Sequence, residues 1–292
     1  MLPVTCSSKD GFEMYLSMAA SKSRYLLELH LAELHRSQES FTLPGFCLVC
    51  KTPADFLTQM TGSASRVAEI AMPDWREQLV CPLCGLTNRQ RLVATLAFAR
   101  AGEMERSSGS RPRIYLTERV TALYRAVTAK AGEDRVIGSE YLGPDFAPGA
   151  IDRGIRHEDV QELSFPSKSF DIVVSCEVFE HVPDPVRGLR EIFRVLRPGG
   201  ELILTVPFFA LDLKSTARAA LEDGALKCYL PEERHGDPLK EEGALVFTDF
   251  GWDLPDRLRE AGFVESSVDY FWSFEYGHLS ITNPIIRCRK PQ

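Results

Sequence analysis

The sequence has no uninterrupted apolar run approaching the roughly 20 residues needed to cross a bilayer, which excludes a membrane-spanning helix. Its N-terminus lacks the basic, apolar, small-residue order of a secretory signal, so a cytoplasmic location is expected. It has no internal repeat and no low-complexity tract, which sets repeat architectures aside. Positive charge is also short, with 34 Lys+Arg against 41 Asp+Glu. Residues 1–111 carry 12 basic against 11 acidic side chains, leaving 22 against 30 in the remainder. An acidic C-terminal portion repels a phosphate backbone, which disfavours nucleic acid as a substrate.

What is present is enough for one sizeable core and a smaller appended module: 292 residues, 44% of them hydrophobic. Residues 11–36 are rich in helix formers, with Met14, Met18, Tyr25, Leu26, Leu29 and Leu34 as a broad apolar face, and predict one or two helices. A second helical stretch runs over 87–105, with Leu92, Leu96 and Phe98 as buried positions, and the Ser- and Gly-rich 106–112 reads as a linker. The expected division is therefore 1–111, helical and cysteine-bearing, followed by 112–292.

After residue 113, short apolar runs alternate with amphipathic stretches, the layout of parallel strands joined by crossover helices. Strands are predicted at 113–118, 135–140, 154–159, 170–176 and 201–207. The helix before the last has the plainest signals: Asp184 to cap it, Pro185 in its first turn, a stripe of Val186, Leu189, Ile192, Phe193 and Leu196, and Pro198-Gly199-Gly200 to stop it. The fold class that follows is α/β, a doubly wound and mostly parallel sheet with a small helical, metal-binding N-terminal module.

Ligands of such sheets bind at the carboxyl ends of the strands, near the reversal of strand order. Three acids close predicted strands there: Glu118, Glu140 and Asp159. A carboxylate ending the second strand can accept from both hydroxyls of a ribose, which would serve NAD as well as S-adenosylmethionine. The first turn separates the two. NAD's pyrophosphate requires a glycine-rich turn, and Glu118-Arg119-Val120-Thr121-Ala122 contains no glycine. A cofactor without phosphates tolerates the bulk better.

The segment RHEDVQELSFPSKSFDIVVSCEVFEHVPDPVRGLREIFRVLRPGGELILTVPF, residues 156–208, resembles the class I S-adenosylmethionine-dependent methyltransferases of the type 11 group. The likeness covers roughly residues 113–210, and SFD, EHV and LRPGG in that order carry it. It implies a Rossmann-like fold and S-adenosylmethionine as cofactor, with Glu140 on the ribose, Asp159 and Val160 at the adenine, and Ser175, Cys176 and Glu177 along the methionine end. Glu118 stands where the family's first-motif acid stands, while the glycines of that motif are missing.

Cys47/Cys50 and Cys81/Cys84 form two CxxC pairs separated by 30 residues. Each pair can wrap two thiolates around a zinc ion, and two pairs close a tetrahedral, structural site. Redox dithiols are the alternative. The second knuckle has Gly85 where a tight turn is needed, whereas Lys51 holds that place in the first. Arg89 and Arg91 read as a solvated helix start.

Residues 208–250 interrupt the strand alternation and are expected to cover the active site and select the acceptor. Within them His235 is the first candidate for a general base, with Asp237 to orient its ring and His181 of the EHV motif as second choice. Phe250, Trp252, Phe271 and Trp272 are candidates to face a neutral, polyhydroxylated acceptor, core burial being the alternative. The reading is methyl transfer to a hydroxyl or amine of a small, saccharide-linked acceptor. Its alternatives are a zinc-stabilised scaffold of the same fold without catalysis, and RNA methylation.

Overall fold

The computed structural model describes residues 2–60, 65–67 and 70–292. Contacts divide the chain into two compact units: residues 1–99 with 268–285, and residues 100–267 with 286–292. The sequence-based boundary at 111/112 differs for two reasons. The helix Asn88–Ser108 runs through the division, and the stretch after residue 267 packs with the first unit.

The second unit is built on a sheet. Its strands are β1 (Ile114–Leu116), β2 (Val136–Gly138), β3 (Phe170–Cys176) and β4 (Leu196–Thr205), with residues 286–289 of β5 (Pro284–Arg289) at one side. The order is β5-β4-β3-β1-β2. β1 to β4 run parallel and β5 antiparallel to β4. Ile114 to Leu116, Ile172 to Val174 and Leu202 to Leu204 are fully buried, as strands covered on both faces require. Order reverses between β1 and β3, and the crevice there is where such sheets bind ligands. The fold is the expected α/β, mostly parallel sheet.

Helix α1 (Ala122–Ala131) follows β1, its Thr121 side chain accepting from the Tyr124 amide. Helix α2 (Pro185–Val195) joins β3 to β4 and has the expected cap, Asp184 accepting from the Arg187 amide at 3.0 Å. Pro185, Leu189, Ile192 and Val195 are its buried stripe. Strand β4 starts directly at Leu196, so Pro198 to Gly200 lie within a strand and not in the expected stop. The strand expected over 154–159 is replaced by a small hairpin, Ile151–Asp152 against Ile155–Arg156, plus one parallel bridge of His157 to Glu140. Arg153 and Gly154 both take positive φ and turn the chain there.

In the first unit, the helices Lys9–Ser17 and Ala19–Leu34 precede a hairpin of Ser40–Cys47 against Thr52–Gln59. Their inward face differs from the expected one: Met14, Met18, Leu26 and Leu34 are exposed, whereas Phe12, Tyr15, Glu28, Leu31 and Ala32 are buried. Phe12 and Tyr15 stack on Tyr270 at 5.0 and 5.3 Å. Glu28 accepts from Trp272 Nε1 at 2.7 Å and the Ser280 amide at 2.8 Å. A buried acid with bonding partners, absent from any hydrophobic pattern, sets the rotation of the second helix. Among the described residues, no helix is long and apolar enough to cross a membrane.

Candidate functional site

Glu140 lies just beyond β2, and its Oε1 accepts from the amides of Arg119 and Val120 at 2.6 and 2.9 Å. The carboxylate expected on the ribose therefore also holds the glycine-free turn in place. Burial pushes its carboxyl up while these two donors pull it down, burial being the larger effect. The turn's bulk is directed elsewhere: Arg119 bonds Tyr124 Oη at 2.6 Å and the Gly154 carbonyl at 3.2 Å. A Cβ on Gly138 would sit 2.5 to 2.6 Å from the Tyr124 ring and the Glu118 carbonyl, so only glycine admits this close approach.

Other predicted cofactor residues are already engaged. Asp159 takes the Gln161 amide at 2.8 Å and the Gln161 side chain at 3.2 Å, with Val160 buried next to it. Ser175 is fully buried and accepts from Thr117 Oγ1 at 2.9 Å. Glu118 is buried, and Cys176 and Glu177 are half-buried. Glu177 has φ of 52°, a strained conformation of the kind that collects at functional sites. Ser175 therefore sits inside the sheet, whereas Glu140, Cys176 and Glu177 border the crevice end of their strands.

Residues 208–250 form three two-stranded ladders: Thr216–Ala217 with Thr248–Asp249, Ala219–Glu222 with Ala225–Cys228, and Arg234–Asp237 with Lys240–Leu245. The last is tied to the 3-10 turn Phe179–His181 beyond β3. His181 Nδ1 meets the Leu245 carbonyl at 2.8 Å, and the Phe247 amide donates to the Glu180 carbonyl at 2.7 Å. Gly243, at φ 74°, faces His235 across the hairpin, and a Cβ there would run into the His235 carbonyl.

This brings His181 and His235 together, with ring centroids 5.2 Å apart. Between them lies Glu180, an acid that sequence reasoning passed over. Its side chain is wholly buried, and its Oε1 is 3.7 Å from His181 Nε2 and 3.8 Å from His235 Nδ1. Glu233 sits 3.4 Å from the other nitrogen of His235. Glu180, ahead of Glu233, favours the charged form of His235 and raises its pKa, while burial raises that of Glu180. Asp237 does not orient His235 as expected. A register shift separates the two residues, and Asp237 accepts from the Leu239 amide at 2.8 Å. Phe250 and Trp252 are buried here, and Phe271 is buried in the first unit, where Trp272 bonds Glu28; all four serve packing.

The four cysteines of the first unit converge, with Sγ atoms of all four within 4.8 Å of one another. Cys47 and Cys84 are 4.0 Å apart, Cys50 and Cys81 3.9 Å. Tetrahedral thiolates about 2.3 Å from one ion stand about 3.8 Å apart, so the cluster fits a zinc. The Cys47 thiol is lowered to about 5 by hydrogen bonds led by that from Cys84, and the same contact raises Cys84. Both knuckles close alike, the Lys51 amide reaching the Cys47 carbonyl at 2.7 Å and the Gly85 amide the Cys81 carbonyl at 2.8 Å.

Arg89 and Arg91 correct the expectation of a solvated helix start. Arg89 pairs with Glu77, Nε to Oε1 at 2.5 Å. Arg91 is 1% exposed, lies 3.9 Å over the Phe56 ring and donates to the carbonyls of Leu79, Tyr276 and Gly277. Burial lowers its pKa to about 10, still charged at neutral pH, and the four cysteines act on it in the opposite sense. A buried cation beside four thiols suits a cluster that ionises.

A doubly wound sheet with an acid beyond its second strand is the arrangement in which nucleotide-type cofactors bind at the reversal of strand order. Residues 124–204 match the family described as methyltransferase domain. The ubiquinone biosynthesis O-methyltransferase of Ruegeria pomeroyi is 28% identical over 207 residues, 62% of this chain and 77% of that protein. A probable S-adenosylmethionine-dependent methyltransferase of Mycolicibacterium smegmatis is 42% identical over 79 residues, 25% of this chain and 30% of that one. A similar solved structure is an S-adenosylmethionine-dependent methyltransferase from Mesorhizobium loti, 20% identical, with 61% of this chain and 91% of that one covered at a TM-score of 0.37. The chain carries a methyltransferase domain, and the protein is a methyltransferase of the S-adenosylmethionine-dependent class.

Proposed function

We propose that the protein transfers a methyl group from S-adenosylmethionine to a hydroxyl or amine of a small acceptor, a saccharide-linked hydroxyl being the first choice. The observation that carries the reading is the cluster of Glu180, His181 and His235 at the carboxyl end of β3, on the side where the insertion returns. A hydroxyl must lose its proton to be methylated, and a buried carboxylate with two imidazoles is the local group able to manage that proton. The sulfonium of the cofactor supplies an electrophilic methyl carbon. What remains for the chain is alignment and exclusion of water. Glu140 holds the ribose, Asp159 and Val160 flank the adenine, Glu118 backs the first turn, Cys176 and Glu177 border the methionine end, and the 208–250 segment covers the acceptor. The name of the Ruegeria relative favours oxygen over nitrogen.

The four cysteines hold one structural zinc in this reading, since four thiolates leave no position for water. The second reading, a scaffold without catalysis, draws on Glu140, which already accepts two backbone donors. Calorimetric titration with S-adenosylmethionine separates the two. The wild type is expected to bind, and Glu140→Ala to lose about 1.5 to 3 kcal/mol of affinity, as a charged acceptor for hydroxyls is worth. Absence of binding by the wild type favours the scaffold, and equal affinities remove Glu140 from the ribose.

A further inference from the structure

We infer that Glu180, His181 and His235 form a binding site for a divalent transition-metal ion, which presents the acceptor oxygen to the methyl group. The first ground is convergence. One oxygen and two ring nitrogens lie within 4.8 Å of one another, with the carboxylate oxygen 3.7 and 3.8 Å from the two nitrogens. Ligands about 2.1 Å from a common ion stand about 3.0 to 3.4 Å apart, so the carboxylate oxygen reaches tetrahedral ligand spacing from each nitrogen by a closure of a few tenths of an ångström.

The second ground is the proton inventory of the imidazoles. A carbonyl only accepts, so His181 Nδ1, 2.8 Å from the Leu245 carbonyl, carries the proton and leaves a lone pair on Nε2. Glu233 likewise engages His235 Nε2 at 3.4 Å, which leaves Nδ1 as the inner nitrogen. Outer-nitrogen partners of this kind, one carbonyl and one carboxylate, are what fix metal-binding histidines in their tautomer. Both inner nitrogens then face the same oxygen of Glu180.

The third ground is Glu180 itself. Its side chain is 0% exposed, and neither oxygen has a hydrogen-bond partner. A buried carboxylate so placed is costly unless a positive charge sits against it. A proton on His235 would satisfy one contact and leave the His181 lone pair against the carboxylate. A divalent ion satisfies all three.

Two nitrogens and one oxygen suit manganese, iron, cobalt, nickel or zinc better than magnesium, which prefers oxygen throughout. Three protein ligands leave positions open for an acceptor hydroxyl, whose proton affinity the ion lowers. The hydroxyl proton leaves to water, the new oxygen–carbon bond forms as the sulfur–carbon bond breaks, and the positive charge of the sulfonium is discharged. His235 then acts as a ligand. The inference rests on reading this cluster as the acceptor side, but its test reads metal and not turnover.

Full-length protein carrying one equivalent of zinc, which the four thiolates take first, is titrated with Mn2+, free Mn2+ being followed by electron paramagnetic resonance, and with S-adenosylmethionine in parallel. One Mn2+ per chain is expected. His235→Gln and His181→Gln should each weaken it at least tenfold, whereas Cys81→Ser leaves it unchanged. His235 is on a hairpin outside the sheet, so its variant remains informative where Glu180→Gln fails to fold. Saturable Mn2+ binding that persists in both histidine variants, or none in the wild type up to millimolar Mn2+, overturns the site. Cofactor binding without Mn2+ sinks this inference alone, while Mn2+ binding without cofactor sinks the methyl-transfer reading and leaves the site standing.

Discussion

Lys51 and Gly85 occupy the same place in two cysteine knuckles, at φ of 56° and 70°. The lysine adopts a left-handed conformation that costs a side chain about 1 to 2 kcal/mol, offset in part by the greater freedom a glycine loses on folding. Lys51→Gly is therefore expected to stabilise the first unit by roughly 0.5 to 1 kcal/mol, and Gly85→Ala to destabilise it by a similar amount. Thermal unfolding of zinc-loaded protein measures both, and equal midpoints for all three would contradict the assignment. The cysteines were legible in the sequence because their spacing alone encodes the knuckle. Glu180 and Arg91 were not, because nothing local distinguishes a buried charge from a solvated one. Glu180 lies inside the EHV motif and Arg91 in a run of polar residues, and only the carbonyls and rings brought from distant segments reveal them. His235 stands out in the sequence as a candidate base, but the carboxylates beside it are Glu180 and Glu233 and not Asp237.

At the scale of the element, the helix Ala19–Leu34 turns on Glu28. Burial raises the carboxyl of this residue from 4.5 to about 7, against the lowering effect of its bonds from Trp272 and the backbone. The folded chain therefore binds a proton there more tightly than the unfolded chain. The contribution to stability is full below pH 4.5 and is lost as pH rises to about 7. It amounts to a loss on the order of 3 kcal/mol. Glu28→Gln keeps the carbonyl acceptor and removes the titration. Denaturant unfolding from pH 5 to 8 is expected to show the decline in the wild type and a flatter profile in the variant; parallel profiles would rule the effect out. Elements with signals at both ends, such as α2 with Asp184 and Pro185, were readable before the structure. The third strand was not, because Arg153 and Gly154 turn the chain inside an apolar stretch. The inward face of the first helices was misjudged because their core is aromatic and acidic rather than aliphatic.

At the scale of the molecule, the α/β class was legible from alternation, while the partition was not, since packing of residues 268–285 with the first unit leaves no compositional mark. Zinc binding is expected to be inseparable from the order of that unit, because the free energy of a structural metal is folding free energy. Elemental analysis should find one zinc per chain, and Cys81→Ser should abolish it together with the unit's unfolding transition in calorimetry. A metal-free first unit that still melts cooperatively would count against this. The first unit is also assembled from two separated stretches, and Arg91 finds its carbonyls at Tyr276 and Gly277 only in the second. During synthesis, the strands of the parallel sheet up to β4 leave the ribosome before those carbonyls exist. The cysteine unit is thus completed only after most of the sheet unit has been made, and a nascent chain halted before residue 268 carries all four thiols without the backbone that anchors their neighbouring cation.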